Sequence, residues 1–260
     1  MDKLNTNITN SSWKSLYKIS GVTTVVMMVF FLFDTICWII MGPYPSNAEG
    51  WFTLLQSDRL VGLLLLSFPT LFGMMLYYLT FLGLLNILRQ VNKTYAALAA
   101  LFAFVGLTIL LVTNMAYPMA YLSSQYEAVT TEQQKALLLT AGEIKITTLN
   151  TGVNLGGFLV EGAAVIFSIL MLRSNIFSKI TAYMGILGHG LDLLRIIMIL
   201  AFLPEEIASI LLMIGGIPQF IWLILVGRRF LKLGGVIKDG VIKKNQGRLS
   251  NGGPYYSNNL

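Results

Sequence analysis

Candidate functional side chains, either ionisable or amide, lie inside four of the long apolar stretches of this sequence. Counted along the chain, the first stretch contains Asp34, the third Asn114, the fourth Glu161, and the fifth His189, Asp192 and Arg195. Ionisable groups at such positions are costly to bury in a membrane, and they typically belong to proton relays, ion pathways or ligand sites. We therefore predict that these residues, with Asn150 and Asn154 at the start of the fourth stretch, line an ion or ligand pathway.

The fourth stretch carries its small and polar residues on one side of the predicted helix. An arc of about 80° contains Asn150, Asn154, Gly157, Glu161, Ala164 and Ser168. The remaining residues are apolar, so this stripe is expected to face other helices or water rather than lipid. Gly152 and Gly156 form a small-xxx-small pair beside the stripe, which predicts a close helix contact. Glu161 has two interpretations here: a functional group, or a protonated and hydrogen-bonded packing residue.

The fifth stretch concentrates its polar residues within about 120° of helical arc. Asp192 and Arg195 each cost about 2.5–3.5 kcal/mol at the centre of a membrane helix. The helix is therefore only marginally stable in lipid by itself. An ion pair between Asp192 and Arg195, three residues apart, lowers the cost. The other available partners are Glu161 and Asp34, which predicts that span five packs against spans four and one.

The predicted membrane interior holds more negative than positive charge. Asp34, Glu161 and Asp192 stand against one arginine, and the single histidine is close to neutral at pH 7. The excess charge must be neutralised by protonation, by a bound cation or by a cationic ligand. We predict a proton- or cation-linked polar pocket between spans one, four and five. We predict no metal site, because one histidine and one cysteine provide too few ligands.

Membrane helices must position these side chains. Of the 260 residues, 55% are hydrophobic and only 12% are charged, whereas soluble domains carry about 25% charged residues. A bilayer-spanning helix needs about 20 mainly apolar residues. Six stretches meet this length, at approximately 20–42, 60–88, 96–122, 149–172, 181–203 and 207–227. The predicted fold is all-α, a polytopic bundle of six transmembrane helices.

Two local signals refine this outline of six spans. Pro69 with Gly73 predicts a kink in the second span, because proline removes a backbone hydrogen bond. Thr131 with Gln134 has the form of a capping box, which predicts a helix over about 131–142 that runs on towards span four.

The distribution of basic residues predicts the orientation of the chain. Fourteen of the 18 lysines and arginines lie in the N-terminal segment, in the loops after spans two and four, or in the C-terminal tail. Basic residues are retained in the cytoplasm, so both termini are expected to be cytoplasmic. Three regions follow: a cytoplasmic segment 1–19, a transmembrane domain 20–227, and a basic tail 228–260 that is expected to be disordered.

Several kinds of chemistry are excluded by what the sequence lacks. A single histidine rules out multi-histidine zinc sites, and there is neither a Gly-x-Ser-x-Gly elbow nor a Walker phosphate-binding loop. We assign no catalytic residue and expect no cofactor. Orientation and attraction to anionic lipid explain the basic residues without nucleic acid. The expected partners are the bilayer and a proton, cation or small-molecule ligand, and a homo-oligomer remains open.

The second half of the chain resembles a known family. The matching runs are Gly-Gly-Phe-Leu-Val-Glu-Gly at 156–162, Leu-Arg-Ser at 172–174, Ile-Phe-Ser-Lys at 176–179 and Met-Gly-Ile-Leu-Gly at 184–188. With six spans and a long loop between spans three and four, the chain is similar to domain-of-unknown-function family 4386. Ser178-Lys179 departs from the Pro-Arg that members often show there. The resemblance implies a six-helix bundle in a prokaryotic cell membrane and no assigned activity.

Three functions remain open from the sequence. The first is a small transporter or permease whose pocket handles a proton or cation through Asp34, Glu161 and Asp192. The second is a non-catalytic module such as a sensor, an assembly factor or a partner subunit. The third is a membrane-embedded enzyme acting on lipid, in which His189 and Asp192 work with a second carboxylate.

Overall fold

The computed structural model describes residues 11–42, 44–203 and 205–237, and within these ranges every regular secondary-structure element is a helix. The helices are α1 (Ser11–Met41), α2 (Ala48–Ser57), α3 (Arg59–Leu65), α4 (Phe68–Leu88), α5 (Lys93–Thr113), α6 (Ala116–Ala128), α7 (Glu132–Arg173), α8 (Lys179–Leu200) and α9 (Glu205–Leu233). Residues 228–233, assigned from the sequence to the tail, belong to α9. The remainder of the predicted tail from residue 238, and residues 1–10, lie outside the described residues.

Six helical segments are long and apolar enough to cross a membrane, which confirms the predicted six-span all-α fold. Two of these segments are interrupted. Span two breaks between α3 and α4 at Ser67, whose backbone is left-handed (φ 55°), and Pro69 lies in the first turn of α4. Span three, Lys93–Ala128, breaks between α5 and α6 at Asn114, whose side chain accepts a hydrogen bond from Ala116 N at 2.8 Å.

The six spans form a closed ring in chain order. Helix α1 packs on α4, α4 on α5, α5 on α7, α7 on α8, and α8 on α9, and α9 returns to α1. Fully buried aromatic residues fill the centre of this ring, including Phe81, Phe167, Trp222 and Phe230. The first and last spans therefore close the bundle, with the rings of Tyr17 and Phe230 stacked 6.3 Å apart.

Glycines set the closest approaches between neighbouring spans. A side-chain carbon on Gly106 of α5 would lie 2.6 Å from the Gly156 carbonyl of α7, and the reverse distance is 2.8 Å. Helices α8 and α9 cross in the same way, since a carbon on Gly188 would lie 2.6 Å from Gln219 N. The predicted small-xxx-small pair at 152 and 156 thus makes a close helix contact, and its partner is α5.

A second apolar cluster, here called the cap, lies at one end of the ring. It joins α2, α3, α6 and the first turns of α7 around Trp51, Phe52 and Met119. Glu143 of α7 accepts a hydrogen bond from Ala48 N at the start of α2, at 2.7 Å. The Thr131 hydroxyl caps Gln134 N at 3.4 Å, and α7 continues unbroken to Arg173, as the capping box predicts. We call the opposite end, where α1 begins and α9 ends, the base.

Candidate functional site

A buried hydrogen-bond network joins α7, α8 and α9 near the middle of the membrane segments. His189 Nδ1 lies 2.6 Å from Glu161 Oε2. Gln219 Nε2 donates to the same carboxylate oxygen at 3.2 Å and to the Gly188 carbonyl at 3.4 Å. Only 6% of the His189 side chain and 14% of the Glu161 side chain are exposed. Each of three helices thus contributes one polar side chain to a single buried point, here called the Glu161 network.

Backbone geometry at the α8–α9 crossing brings these side chains together. Gly188 has no side chain, so the backbone of α9 approaches close enough for Gln219 to reach the Gly188 carbonyl. Trp222 follows Gln219 by one helical turn and packs its ring edge-on against His189, with centroids 4.7 Å apart and planes at 83°. The imidazole is therefore fixed on one side by a carboxylate and on the other by an indole.

Three polar atoms beside the network lack a hydrogen-bond partner within the described part of the chain. They are His189 Nε2, Ser168 Oγ and Trp222 Nε1, and all three are buried. The Ser168 and Trp222 atoms both lie within 2.5 Å of the position that a side-chain carbon on Gly185 would occupy. Buried polar atoms are nearly always hydrogen-bonded, so these three atoms are exceptions among the described residues.

The charges around Glu161 cancel when the network holds one proton. Asp192 and Arg195 form an ion pair along α8, and both interact electrostatically with Glu161. One proton shared by Glu161 and His189 makes that pair neutral as well, either as a carboxylate with an imidazolium or as two neutral groups. Loss of this proton leaves one uncompensated negative charge, for which a cation is the natural partner.

Asp34 lies elsewhere, in contact with α4. It accepts a hydrogen bond from the Thr70 hydroxyl just after the break in span two, and its other carboxylate oxygen is buried with no partner among the described residues. No hydrogen bond or ion pair joins it to Glu161 or Asp192 within those residues. The structure therefore brings Glu161, His189, Asp192 and Arg195 together and leaves Asp34 apart. Span five was predicted to pack against spans four and one. In the structure it packs against spans four and six.

The three candidate asparagines have different environments. Asn150 is exposed and lies two turns nearer the cap than Gly157, which packs against Ile196 of α8. Asn154 is half-buried and lies one turn nearer the cap than Gly157. Asn114 serves as a cap at the start of α6. Among the described residues, no three His, Cys, Asp or Glu side chains are grouped as a metal site would need.

Gln219 and Trp222 are the network residues that the sequence argument missed. The amide Asn114 in span three was named as a candidate, but the amide in span six was overlooked. A search for any amide inside an apolar stretch would have found Gln219, which follows Pro218 directly. Trp222 carries no such signal, because tryptophan is common in membrane helices without any polar role.

The family model described as a domain of unknown function, DUF4386, matches residues 18–227. The chain belongs to the DUF4386 family. The match covers most of the chain, from the first span to near the end of α9, and includes every residue of the Glu161 network. Membership confirms the resemblance seen in the sequence. No curated protein and no solved structure matches the chain, so the DUF4386 assignment brings no activity with it, and a function must be argued from the network.

Proposed function

We propose that the protein is a small transporter or permease whose Glu161–His189 pair binds and releases a proton. The observation that carries the proposal is the 2.6 Å contact between these side chains, buried between three membrane-type helices. Burying an ionisable pair inside a membrane costs free energy, and such residues typically move charge or recognise a ligand. The proposed pocket lies between spans four, five and six, beside the unpartnered Ser168, His189 and Trp222 atoms.

Proton release changes the charge of this pocket by one unit. With the proton present, the four ionisable groups sum to zero, and Gln219 adds a neutral donor to the carboxylate. Without it, Glu161 retains a negative charge that a cation or cationic solute would neutralise. The proton and a cation therefore compete for Glu161, and without a cation the pair can still take up and release its proton.

The proposal includes an orientation. We place the base in the cytoplasm of a prokaryotic cell and the cap on the outer side of its membrane. The start of α1, the α4–α5 and α7–α8 loops with the helix ends beside them, and the end of α9 are at the base. Among the described residues, these places carry nine of the 18 basic residues. Retention of basic residues in the cytoplasm supports this arrangement.

Proton flux into liposomes tests the transport proposal. Vesicles containing the purified protein and a pH-sensitive dye are given a potassium diffusion potential with valinomycin, and internal acidification is followed. The intact protein is expected to acidify the vesicles faster than protein-free controls. Glu161→Gln and His189→Gln keep the size and polarity of the side chains but cannot bind the transferred proton, so each should reduce the flux to the protein-free rate.

A matched control is Glu127→Gln, which removes a carboxylate from the exposed end of α6 and should leave the flux unchanged. Equal flux through the intact protein and both network variants would overturn the proposal. All variants are first compared by size-exclusion profile and melting temperature, so that a loss of flux is not a loss of folded protein.

A non-catalytic module is the second candidate, and the burial of the network favours it. In that case the Glu161–His189 contact holds α7, α8 and α9 in register and transfers no proton. The same variants would then lower the melting temperature, and the intact protein would acidify vesicles no faster than protein-free controls.

A further inference from the structure

A polar pocket of about 410 Å³ opens at the base of the bundle, well away from the Glu161 network. It is formed by the first turn of α1, the last turn of α4 and the start of α5. Its lining residues are Trp13, Asn86, Arg89, Gln90 and Lys93. Two of these five side chains are cationic and none is acidic, so the pocket is electropositive.

The start of α5 adds to this positive charge. Asn92 caps the helix by accepting from Tyr95 N at 3.1 Å, which leaves the first N–H groups of the helix directed towards the base. Partial positive charge at a helix N-terminus favours an anion, and it acts here together with the Lys93 ammonium group. Arg89 is held beside the pocket by Trp13, with its guanidinium 5.1 Å from the indole centroid.

Asn86 brings to this pocket a buried polar atom that the described residues leave without a partner. Only 5% of the residue is exposed, and its Nδ2 donates to the Tyr17 hydroxyl at 2.8 Å while its Oδ1 has no partner among the described residues. A tyrosine hydroxyl both donates and accepts, so the amide is equally satisfied when reversed. In that orientation the Asn86 amide nitrogen is the free group, and it provides a buried donor to a ligand oxygen.

We propose that this pocket binds the phosphate group of an anionic phospholipid. The cations, the helix N-terminus and the Asn86 amide supply donors to phosphate oxygens, as basic pockets between membrane helices do for lipid headgroups. The pocket lies at the ends of the spans, where the headgroups of one leaflet would lie. Exposed apolar residues on the same two helices, Leu82 of α4 with Leu98 and Leu101 of α5, offer a surface for the acyl chains.

Native mass spectrometry of the full chain in detergent tests the proposal. Phosphatidylglycerol is titrated against the protein, and bound copies are counted beside phosphatidylcholine and glycerol 3-phosphate as comparison ligands. One phosphatidylglycerol is expected to bind more tightly than either comparison ligand. The double variant Arg89→Gln with Lys93→Gln should weaken this binding at least about tenfold, since each basic residue contributes to attraction of an anionic headgroup.

The matched control removes the same charge from the base without touching the pocket. Arg173→Gln with Arg228→Gln alters two exposed arginines of α7 and α9 and should leave phosphatidylglycerol binding unchanged. Lys93→Gln alone, at an exposed position, provides a second variant in case the double variant folds poorly. Equal binding by the intact protein and the pocket variants would overturn the site, and equal affinity for glycerol 3-phosphate would overturn the lipid as its ligand.

Discussion

At the scale of single residues, the proposed proton chemistry centres on one contact between two side chains. Glu161 and His189 share a buried contact, and Gln219 adds a donor to the carboxylate from a third helix. The Asp192–Arg195 ion pair is complete without them. Any net charge in this region therefore resides on the Glu161–His189 pair, and substitutions there should have effects that depend on one another.

We expect strong energetic coupling between Glu161 and His189. In a double-mutant cycle with Glu161→Gln and His189→Gln, unfolding in mixed micelles should give a coupling energy of about 1–2 kcal/mol. This exceeds the average of about 0.6 kcal/mol for hydrogen bonds between membrane helices, because the pair is charged or shares a proton.

A second double-mutant cycle, between Asp34 and Glu161, serves as the control. Because Asp34 contacts Thr70 and not the network, Asp34→Asn and Glu161→Gln should have additive effects, within about 0.5 kcal/mol. Additivity between Glu161 and His189, or strong coupling between Glu161 and Asp34, would contradict the arrangement described above.

At the scale of helices, close packing depends on glycines at two crossings. The Gly106 and Gly156 backbones touch between α5 and α7, and Gly188 lets α9 approach α8. Both crossings flank α7 and α8, which carry the Glu161–His189 pair. Helices α7 and α8 are therefore each packed closely against an outer neighbour.

Adding a methyl group at one of these glycines should separate the helices. Gly106→Ala would place a carbon 2.6 Å from the Gly156 carbonyl, a backbone atom that cannot rotate away. We expect a loss of about 1–3 kcal/mol of unfolding free energy, typical of overpacking. Gly162→Ala is the control, because nothing lies within 4 Å of that position. The control should be neutral or gain up to about 1 kcal/mol from helix propensity, and equal losses at both sites would contradict the packing.

The sequence predicts individual helices better than it predicts their neighbours. Span number, the break near Pro69 and the start of α7 follow from hydropathy, proline and capping, which are local properties of the chain. The partner of each helix depends on side chains from distant segments, which no local pattern records. Glu161 and His189 could thus be named as candidates, but their direct contact could not. Gln219 was overlooked, although it is an amide inside an apolar span just as Asn114 is.

At the scale of the whole molecule, the ring of spans closes through α1 and α9. The base collects the ends of the spans that carry the basic residues, and the cap covers the other end. This polarity gives the two ends distinct chemistry: an electropositive pocket at the base and a compact apolar cluster in the cap.

Cysteine labelling tests the proposed orientation. In a Cys37→Ser background, Glu127→Cys at the cap and Arg173→Cys at the base introduce exposed thiols. A membrane-impermeant maleimide applied to intact cells should label position 127 only, and position 173 should react only after the cells are permeabilised. The reverse pattern would contradict a cytoplasmic base, and labelling of both positions in intact cells would contradict the arrangement of the spans.

Helix α7 has a mechanical consequence. Its 42 residues extend about 63 Å at about 1.5 Å per residue, roughly twice the 30 Å of a hydrocarbon core. Glu143, which anchors α2, and Glu161 lie on this one continuous rod, about 27 Å apart by the same rise. The helix cannot shorten without breaking its hydrogen bonds. A force that moves the cap along the axis of α7 would therefore also move Glu161.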